Sequence, residues 1–316
     1  MCAKVSKSNV VVICGPTATG KTAVAIDLAA TFDAEIVGAD SMQVYRYMDI
    51  GTAKPTPNEQ AAVPHHMIDI IDPDEHLDAR QYSRMAGEKI AALHARGITP
   101  FVVGGTGFYI KALLYGLFEG GPSDAGIRQR LKEEAGDRGN GFLHSRLEKC
   151  DPEAAGRLHP NDTYRVIRAL EVYELTGEPI SRYHREHRFA ERPFNILKIG
   201  LNLNRDILYD RINLRVDAMI TTGLLDEVKG LLDKGYAGDL KPMQSIGYRH
   251  IIGFINGEYL WDEMLRTLKR DTRRRYAKRQ LTWFKADPEI LWSEPENVND
   301  MRRKIKKFLQ HETDNK

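Results

Sequence analysis

Along the first third of the chain, short β-branched apolar runs alternate with longer stretches of helical composition. Val10–Cys14 is a compact run that predicts a buried strand. Thr22–Thr31 reads as a helix, and Glu35–Gly38 as a second apolar strand leading to Asp40. Ser83–Arg96 reads as a helix closed by Gly97, where a left-handed cap is common. Thr99–Val103 predicts a third strand, running into Gly104 and Gly105. This alternation predicts a parallel sheet with helices on both faces.

The pattern then changes. Gly120, Gly121, Pro122 and Ser123 form a turn-rich break, and Ile127–Val172 is polar and helix-patterned without a convincing strand. Pro193 marks a second break, after which Ile196–Leu203 reads again as a strand. The simplest division is residues 1–115 as the first part of an α/β core, 116–193 as a helical insertion domain, and 194–316 as the returning strand with C-terminal helices. Asn297–Lys316 is charged and expected to fray.

With 316 residues, 42% hydrophobic and 28% charged, the composition is that of a soluble globular protein. No apolar run approaches the ~18 residues of a membrane span, and the N-terminus lacks signal-peptide organisation. The expectation is a cytoplasmic protein with no membrane partner. The cysteines Cys2, Cys14 and Cys150 are scattered, which suggests neither a disulfide framework nor a zinc site. Nothing points to an obligate interface, so a monomer is expected. The net charge of +2 says little. Its distribution says more: from Arg266 to Lys285 there are nine Lys or Arg and one acidic residue, Asp271. On an uninterrupted helix Arg266, Arg270, Arg274 and Lys278 share one face, pointing to a polyanionic partner.

Gly15-Pro16-Thr17-Ala18-Thr19-Gly20-Lys21-Thr22 fits G-x-x-x-x-G-K-[ST] between a strand and a helix, the context that gives the pattern meaning. Glycines let backbone N–H groups converge on phosphate, Lys21 adds a full positive charge, and Thr22 can ligate Mg²⁺. The fold class is therefore a nucleotide-kinase-like P-loop α/β sheet with a helical insertion. The loop specifies a phosphate or diphosphate but not ATP, because a prenyl diphosphate offers the same oxygens.

Asp40 follows the second strand, at the sheet end where ligands bind in open α/β folds. It suits either a metal carboxylate or a general base. Gly104-Gly105-Thr106-Gly107 closes the third strand; glycines there permit close backbone approach, and Thr106 offers a hydroxyl. The adjacent His65 and His66 point opposite ways on an extended segment, so loop or packing histidines are expected rather than metal ligands.

Together with the loop, Asp40–Pro55 (DSMQVYRYMDIGTAKP), Pro64–Ile70 (PHHMIDI), Val103–Leu114 (VGGTGFYIKALL), His159–Gly177, Ser245–Arg249 (SIGYR) and Ala277–Phe284 (AKRQLTWF) resemble the tRNA dimethylallyltransferase family. The resemblance spans nearly the whole chain. It implies transfer of a dimethylallyl group from its diphosphate to N6 of the adenosine 3′ to the anticodon, in tRNAs reading codons that begin with U. Gly15 and Thr17–Thr22 would hold the diphosphate, with Arg215 offsetting its charge; Asp40 would be the base, Lys21 would stabilise charge on the leaving diphosphate, and Thr106 would hydrogen-bond near the breaking C–O bond. Asp40, Ser41, Met42, Gln43, Thr106, Arg128, Tyr164, Arg165, Val166, Ile167, Arg168, Gln244, Ser245, Ile246, Gly247, Tyr248 and Arg249 would touch tRNA, with Arg274 and Lys278 from the basic stripe. Arg165 and Arg168 share a helix face, and the polar insertion is read as a clamp over RNA that lacks a strong apolar core. Trp283 and Phe284 are expected to pack inward. The eukaryotic relatives' C-terminal zinc finger has no counterpart here, so the bacterial type fits.

Three other readings share parts of this pattern. A small-molecule kinase using ATP shares the loop, but no arginine-bearing lid is evident. A prenyltransferase acting on free adenine nucleotides needs no basic stripe. A non-catalytic nucleic-acid-binding module would not need an intact Lys21, Thr22 and Asp40.

Overall fold

The sheet is built from β1 (Ser8–Cys14), β2 (Ala34–Gly38), β3 (His65–His66), β4 (Thr99–Gly104), β5 (Phe194–Leu201) and β6 (Leu291–Ser293), in a computed structural model that describes residues 7–117, 123–187 and 192–310. All pairings are parallel, in the order β3-β2-β4-β1-β5-β6. β1 sits inside, with Cys14 level with Gly104 of β4 on one side and Gly200 of β5 on the other. Its side chains are buried on both faces, which explains an unbroken Val-Val-Val-Ile run rather than an alternating one.

On one face, Val11, Ile13, Ile36 and Phe101 pack against Ala25, Leu28 and Ala29 of helix Lys21–Thr31 and against Met301 and Ile305 of helix Val298–Gln310. The expected fraying of the last twenty residues is thus corrected as far as Gln310. The charges of Val298–Gln310 lie outward while Met301 and Ile305 are buried, so the helix is anchored by a narrow apolar stripe. Residues 311–316 lie outside the described residues.

Helix Ala79–Ala95 is associated with β2 and β4 and starts four residues before the predicted Ser83. Asp78 caps it, accepting from the Arg80 and Gln81 amides, while Gln81 returns a bond to the Asp78 amide. Two strands were not expected. β3 is only His65–His66, and β6 lies in the tail read as helical. Each is too short for a periodic signal and is held by its neighbour.

The chain divides into two compact units, Met1–Leu114 with Pro193–Lys316, and Tyr115–Arg192. The turn-rich break falls largely on residues 118–122, outside the described residues. The second unit is helical, and it has the apolar core that its polar composition obscured. Leu131, Leu143, Leu147, Ala154, Ala155, Val166, Ile167, Ala169 and Leu170 form one buried cluster. Val166 and Ile167, expected to touch RNA, are 1% and 4% exposed and serve this core instead.

Candidate active site

The carboxyl ends of β1, β2 and β4 converge on a cavity of about 630 Å³ within the larger unit. Thr17, Ala18, Gly20, Lys21 and Thr22 line one side; Asp40, Ser41, Met42 and Gln43 another; Arg215, Gln244, Ser245, Ile246, Gly247, Arg249, Tyr276, Arg279 and Gln280 complete it. The sequence motifs therefore meet in one place although they are far apart along the chain.

The loop's conformation follows from its glycines. Gly15 has φ 138°, and a Cβ there would lie 2.3 Å from the Leu201 carbonyl oxygen of β5. Gly20, at φ 88°, turns the chain left-handed into helix Lys21–Thr31. Lys21 Nζ donates to the Pro16 carbonyl at 2.8 Å. Burial, then repulsion from Arg215, lowers its ammonium to about 8 against the attraction of Asp40. Thr19 turns inward: it is buried, and its hydroxyl donates to the same Pro16 carbonyl at 2.9 Å. Its side chain is thus committed to the loop, leaving only its backbone for a ligand. The Thr17 amide is also engaged, donating to Gln280 Oε1 at 2.9 Å.

Asp40 is held by its own turn. Its Oδ1 accepts from the amides of Met42 at 2.9 Å and Gln43 at 3.4 Å. Arg215 lines the same cavity and has no hydrogen-bond or ion-pair partner among the described residues. Burial lowers its pKa, opposed by the attraction of Tyr276 and Asp40. Lys21 and Arg215 thus give the cavity two cations that the protein itself only partly satisfies.

Gly104-Gly105-Thr106-Gly107 is a packing device first. A Cβ on Gly104 would lie 2.1 Å from the Ala39 carbonyl oxygen, one on Gly105 2.2 Å from Gln280 Nε2, and one on Gly107 2.1 Å from Trp283 Cδ1. These glycines allow close approach to Ala39, just after β2, and to helix Lys278–Lys285, while Gly104 and Gly105 also line the cavity. Thr106 does not line the cavity. Its Oγ1 accepts from the Ser41 amide at 2.9 Å and donates to Ser41 Oγ at 3.3 Å, so it fixes the residue after Asp40.

Ser245–Arg249 places Arg249 at the cavity but not Tyr248. The Tyr248 ring is fully buried over Gly51, so this expected RNA contact is a structural residue. Behind it His250, lowered to about 4 by burial and by Arg249, accepts from the Gly247 amide. Its Nε2 faces the buried Asp271, which also holds Arg249 at 2.8 Å. Asp271, the single acid of the basic stripe, is thereby its internal counter-ion.

The basic stripe is not one α-helix. Thr272–Ala277 is a π-helical segment between helices Trp261–Asp271 and Lys278–Lys285, and its wider turn breaks the four-residue spacing on which a shared face rested. Arg266, Arg270, Arg274 and Lys278 are all exposed, but Arg266 lies near Glu263 and Arg270 pairs with Asp271. Arg274 and Lys278 have no ion-pair partner among the described residues. Phe284 is buried as expected; Trp283 is 45% exposed and meets Phe108 edge-on, because only one edge of its ring covers Gly107.

In the smaller unit, Tyr164 is 80% exposed. Arg128 and Arg168 both bind Glu171, at 2.9 and 2.6 Å. Burial would raise the Glu171 carboxyl, but bonds from Arg168, the Asp124 amide and Arg128 hold it below the usual range. His65 and His66 bond to the Val63 carbonyl and to Glu35, and no group of three or more His, Cys, Asp or Glu among the described residues could hold a metal. Sequence reasoning gave no role to Gln280 or Glu227; Arg279 it counted only within the basic stripe, and Tyr276 it left between inward packing and stacking on bases, whereas both line the cavity. In the stripe charge drew attention, and the polar, uncharged Gln280 did not.

Fold and site define an α/β protein of the P-loop type. The sequence profile of IPP transferases matches residues 43–287, and that of isopentenyl transferases residues 8–73. The chain is 54% identical to a tRNA dimethylallyltransferase of Desulfosudis oleivorans over 97% of its own length and 98% of that protein's. It is 50% identical to one of Geobacter sulfurreducens, over 96% and 98%. A tRNA isopentenylpyrophosphate transferase structure from Bacillus halodurans superposes with TM-score 0.73 at 41% identity, covering 98% of this chain and 99% of that one. A eukaryotic dimethylallyltransferase acting on tRNA superposes with TM-score 0.76 at 29% identity, over 90% and 74%. The chain belongs to the IPP transferase family and is a prenyltransferase.

Proposed function

We propose that the protein transfers a dimethylallyl group from dimethylallyl diphosphate to N6 of the adenosine 3′-adjacent to the anticodon, in tRNAs reading codons that begin with U. The observation that carries this is that Lys21, Asp40 and Arg215, the last without a hydrogen-bond or ion-pair partner among the described residues, line one cavity. Two cations meet the diphosphate, and a carboxylate meets the amine.

The adenine N6 lone pair is conjugated into the ring, so the amine is a weak nucleophile. N6 attacks the allylic carbon as the C–O bond to diphosphate breaks. Asp40 takes the N6 proton, and charge developing on the departing oxygen is met by Lys21, Arg215 and the loop amides that remain free. The target base has to leave its stack, at a cost of a few kcal/mol, offset by RNA contacts. Those contacts are assigned to Ser41–Gln43, Gln244–Gly247 and Arg249 around the cavity, to Arg274 and Lys278 on the stripe, and to Tyr164, Arg165, Arg128 and Arg168 of the insertion.

The donor set also fits Mg²⁺. The Thr22 hydroxyl makes no hydrogen bond among the described residues and lines the cavity, a hard oxygen that could hold the ion. One protein oxygen suits an ion that keeps several of its waters, and Asp40 Oδ2 stays open for the N6 proton. When bound, it would neutralise charge on the diphosphate. Action on tRNA accords with a cytoplasmic enzyme working as a monomer; among the described residues, no helix is long and apolar enough to cross a membrane.

The test mixes the purified protein with Mg²⁺, labelled dimethylallyl diphosphate and unmodified tRNA, with AMP and ATP as parallel acceptors. Label in tRNA alone is expected. Label in AMP or ATP, or ATP consumption without label, overturns the assignment.

A further inference from the structure

Helix Lys278–Lys285 carries one buried polar side chain, Gln280, and that side chain joins the two loops flanking the cavity. Its Oε1 accepts from the Thr17 amide at 2.9 Å, and its Nε2 donates to the Gly105 carbonyl at 3.0 Å. The two bonds fix which end of the amide points where: an N–H can meet only the oxygen, and a carbonyl only the nitrogen. Neither Asn, which is too short, nor Glu, which lacks the donor, reproduces both. Gly105 is glycine because the amide occupies the space of its Cβ, 2.2 Å away. Tyr276, one turn earlier, and Arg279 line the same cavity.

We infer that Gln280 is a positioning residue for the diphosphate: its carboxamide spans the Thr17 amide and the Gly105 carbonyl, and so sets the spacing between the phosphate loop and the turn that anchors Asp40. The inference deepens the prenyl-transfer reading and rests on it. It has a chemical consequence. Because Gln280 occupies the Thr17 N–H, the loop presents its remaining amides from Ala18 onward to the diphosphate. The donor is thereby seated toward Lys21 and Thr22 rather than at the mouth of the loop. Both ends of the amide are engaged with backbone of the two loops, so its loss should act on the seating of the donor more than on the tRNA contacts.

Steady-state transfer is measured on the full-length protein for Gln280→Glu and Gln280→Met, with KM resolved for dimethylallyl diphosphate and for tRNA. Both variants are expected to raise the donor KM by about tenfold or more, the size of one lost buried hydrogen bond, with the tRNA KM within about twofold. Relative to the wild-type protein at the same pH, Gln280→Glu is expected to recover as pH falls from 8 to 6, where protonation restores a donor toward Gly105. Gln280→Met has nothing to protonate there, so its ratio to wild type should stay constant, because the pH response of Lys21 is common to all three proteins. Gly105→Ala, which displaces the amide, is expected to match Gln280→Met. Thermal unfolding checks that each variant is folded; if neither Gln280 variant folds, the wild-type side chain is only a structural tie and the inference is overturned. Equal rises in both KM values, or no rise in the donor KM, also overturn it. Absence of transfer in the wild-type protein would instead sink the prenyl-transfer reading, which separates the two failures.

Discussion

The Tyr248 hydroxyl donates to Glu227 Oε1 at 2.6 Å, and the same carboxylate gathers the amides of Asp49, Ile50 and Gly51 at 2.8, 2.7 and 3.0 Å. One side chain therefore ties the Asp40–Pro55 segment to the Ser245–Arg249 turn, two stretches that border the cavity. Gly51 admits the tyrosine ring, whose Cε2 lies 2.5 Å from where a Cβ would be. Glu227→Ala strands three amides and a hydroxyl and should cost about 2–3 kcal/mol, with Tyr248→Phe closer to 1. Urea unfolding of both single variants and the double variant would measure it, with strong coupling expected. Additive losses would mean that the two residues act separately.

Removing Asp40 should separate chemistry from binding. Asp40→Ala is expected to slow transfer by about 10²–10⁴ while leaving tRNA affinity within about threefold, because tRNA contacts are spread over many residues. Single-turnover rates beside filter-binding titrations give the comparison. Parallel losses in both would place Asp40 in binding rather than proton transfer.

Lys21 gives diphosphate affinity a pH dependence with a definite sign. Its ammonium is lowered to about 8, and only the protonated form attracts an anion. Inorganic pyrophosphate should therefore bind the free protein well below pH 8 and progressively less as pH rises through it. Bound diphosphate raises the lysine pKa again, so binding near pH 8 should take up a proton. Calorimetry in buffers of different ionisation enthalpy detects this. Lys21→Ala should weaken binding by about tenfold or more and abolish the uptake.

Arg274 is exposed and has no ion-pair partner among the described residues. Arg274→Ala should weaken tRNA binding and lower the slope of log K against log salt by about 1. An unchanged slope would make this part of the stripe a solvated surface.

Ile167 should behave as a core residue. Ile167→Ala is expected to destabilise the protein by about 2–4 kcal/mol, read from its unfolding transition. A stable variant with weakened tRNA binding would return Ile167 to the RNA-facing role first expected of it.

What could be read from the sequence follows the range of the forces involved. β1, its loop and the first helix are local: an apolar run, two glycines and a helix start declare themselves within fifteen residues. Asp40 and Lys21 could be placed together because the carboxyl ends of parallel strands meet. The insertion's core could not be seen, because its nine buried residues stand singly or in pairs among charged ones on several short helices. The role of Gln280 was hidden because its partners lie 263 and 175 residues away. Tyr248 looked like a contact residue because its motif borders the cavity, and only the placement of Gly51 shows that the ring turns inward.

β1 also has a temporal meaning. Ser8 pairs with Phe194 and Cys14 with Gly200, while Gly15 rests on the Leu201 carbonyl. During synthesis the start of the chain must therefore wait, with one edge of its innermost strand bare, until the ribosome has released β5. The smaller unit, which lies wholly between β4 and β5, emerges during that interval. Slow or interrupted translation before Phe194 should thus leave an aggregation-prone edge exposed, and a chaperone that guards nascent strands would have its longest task at the strand that leads into the Gly15–Thr22 loop.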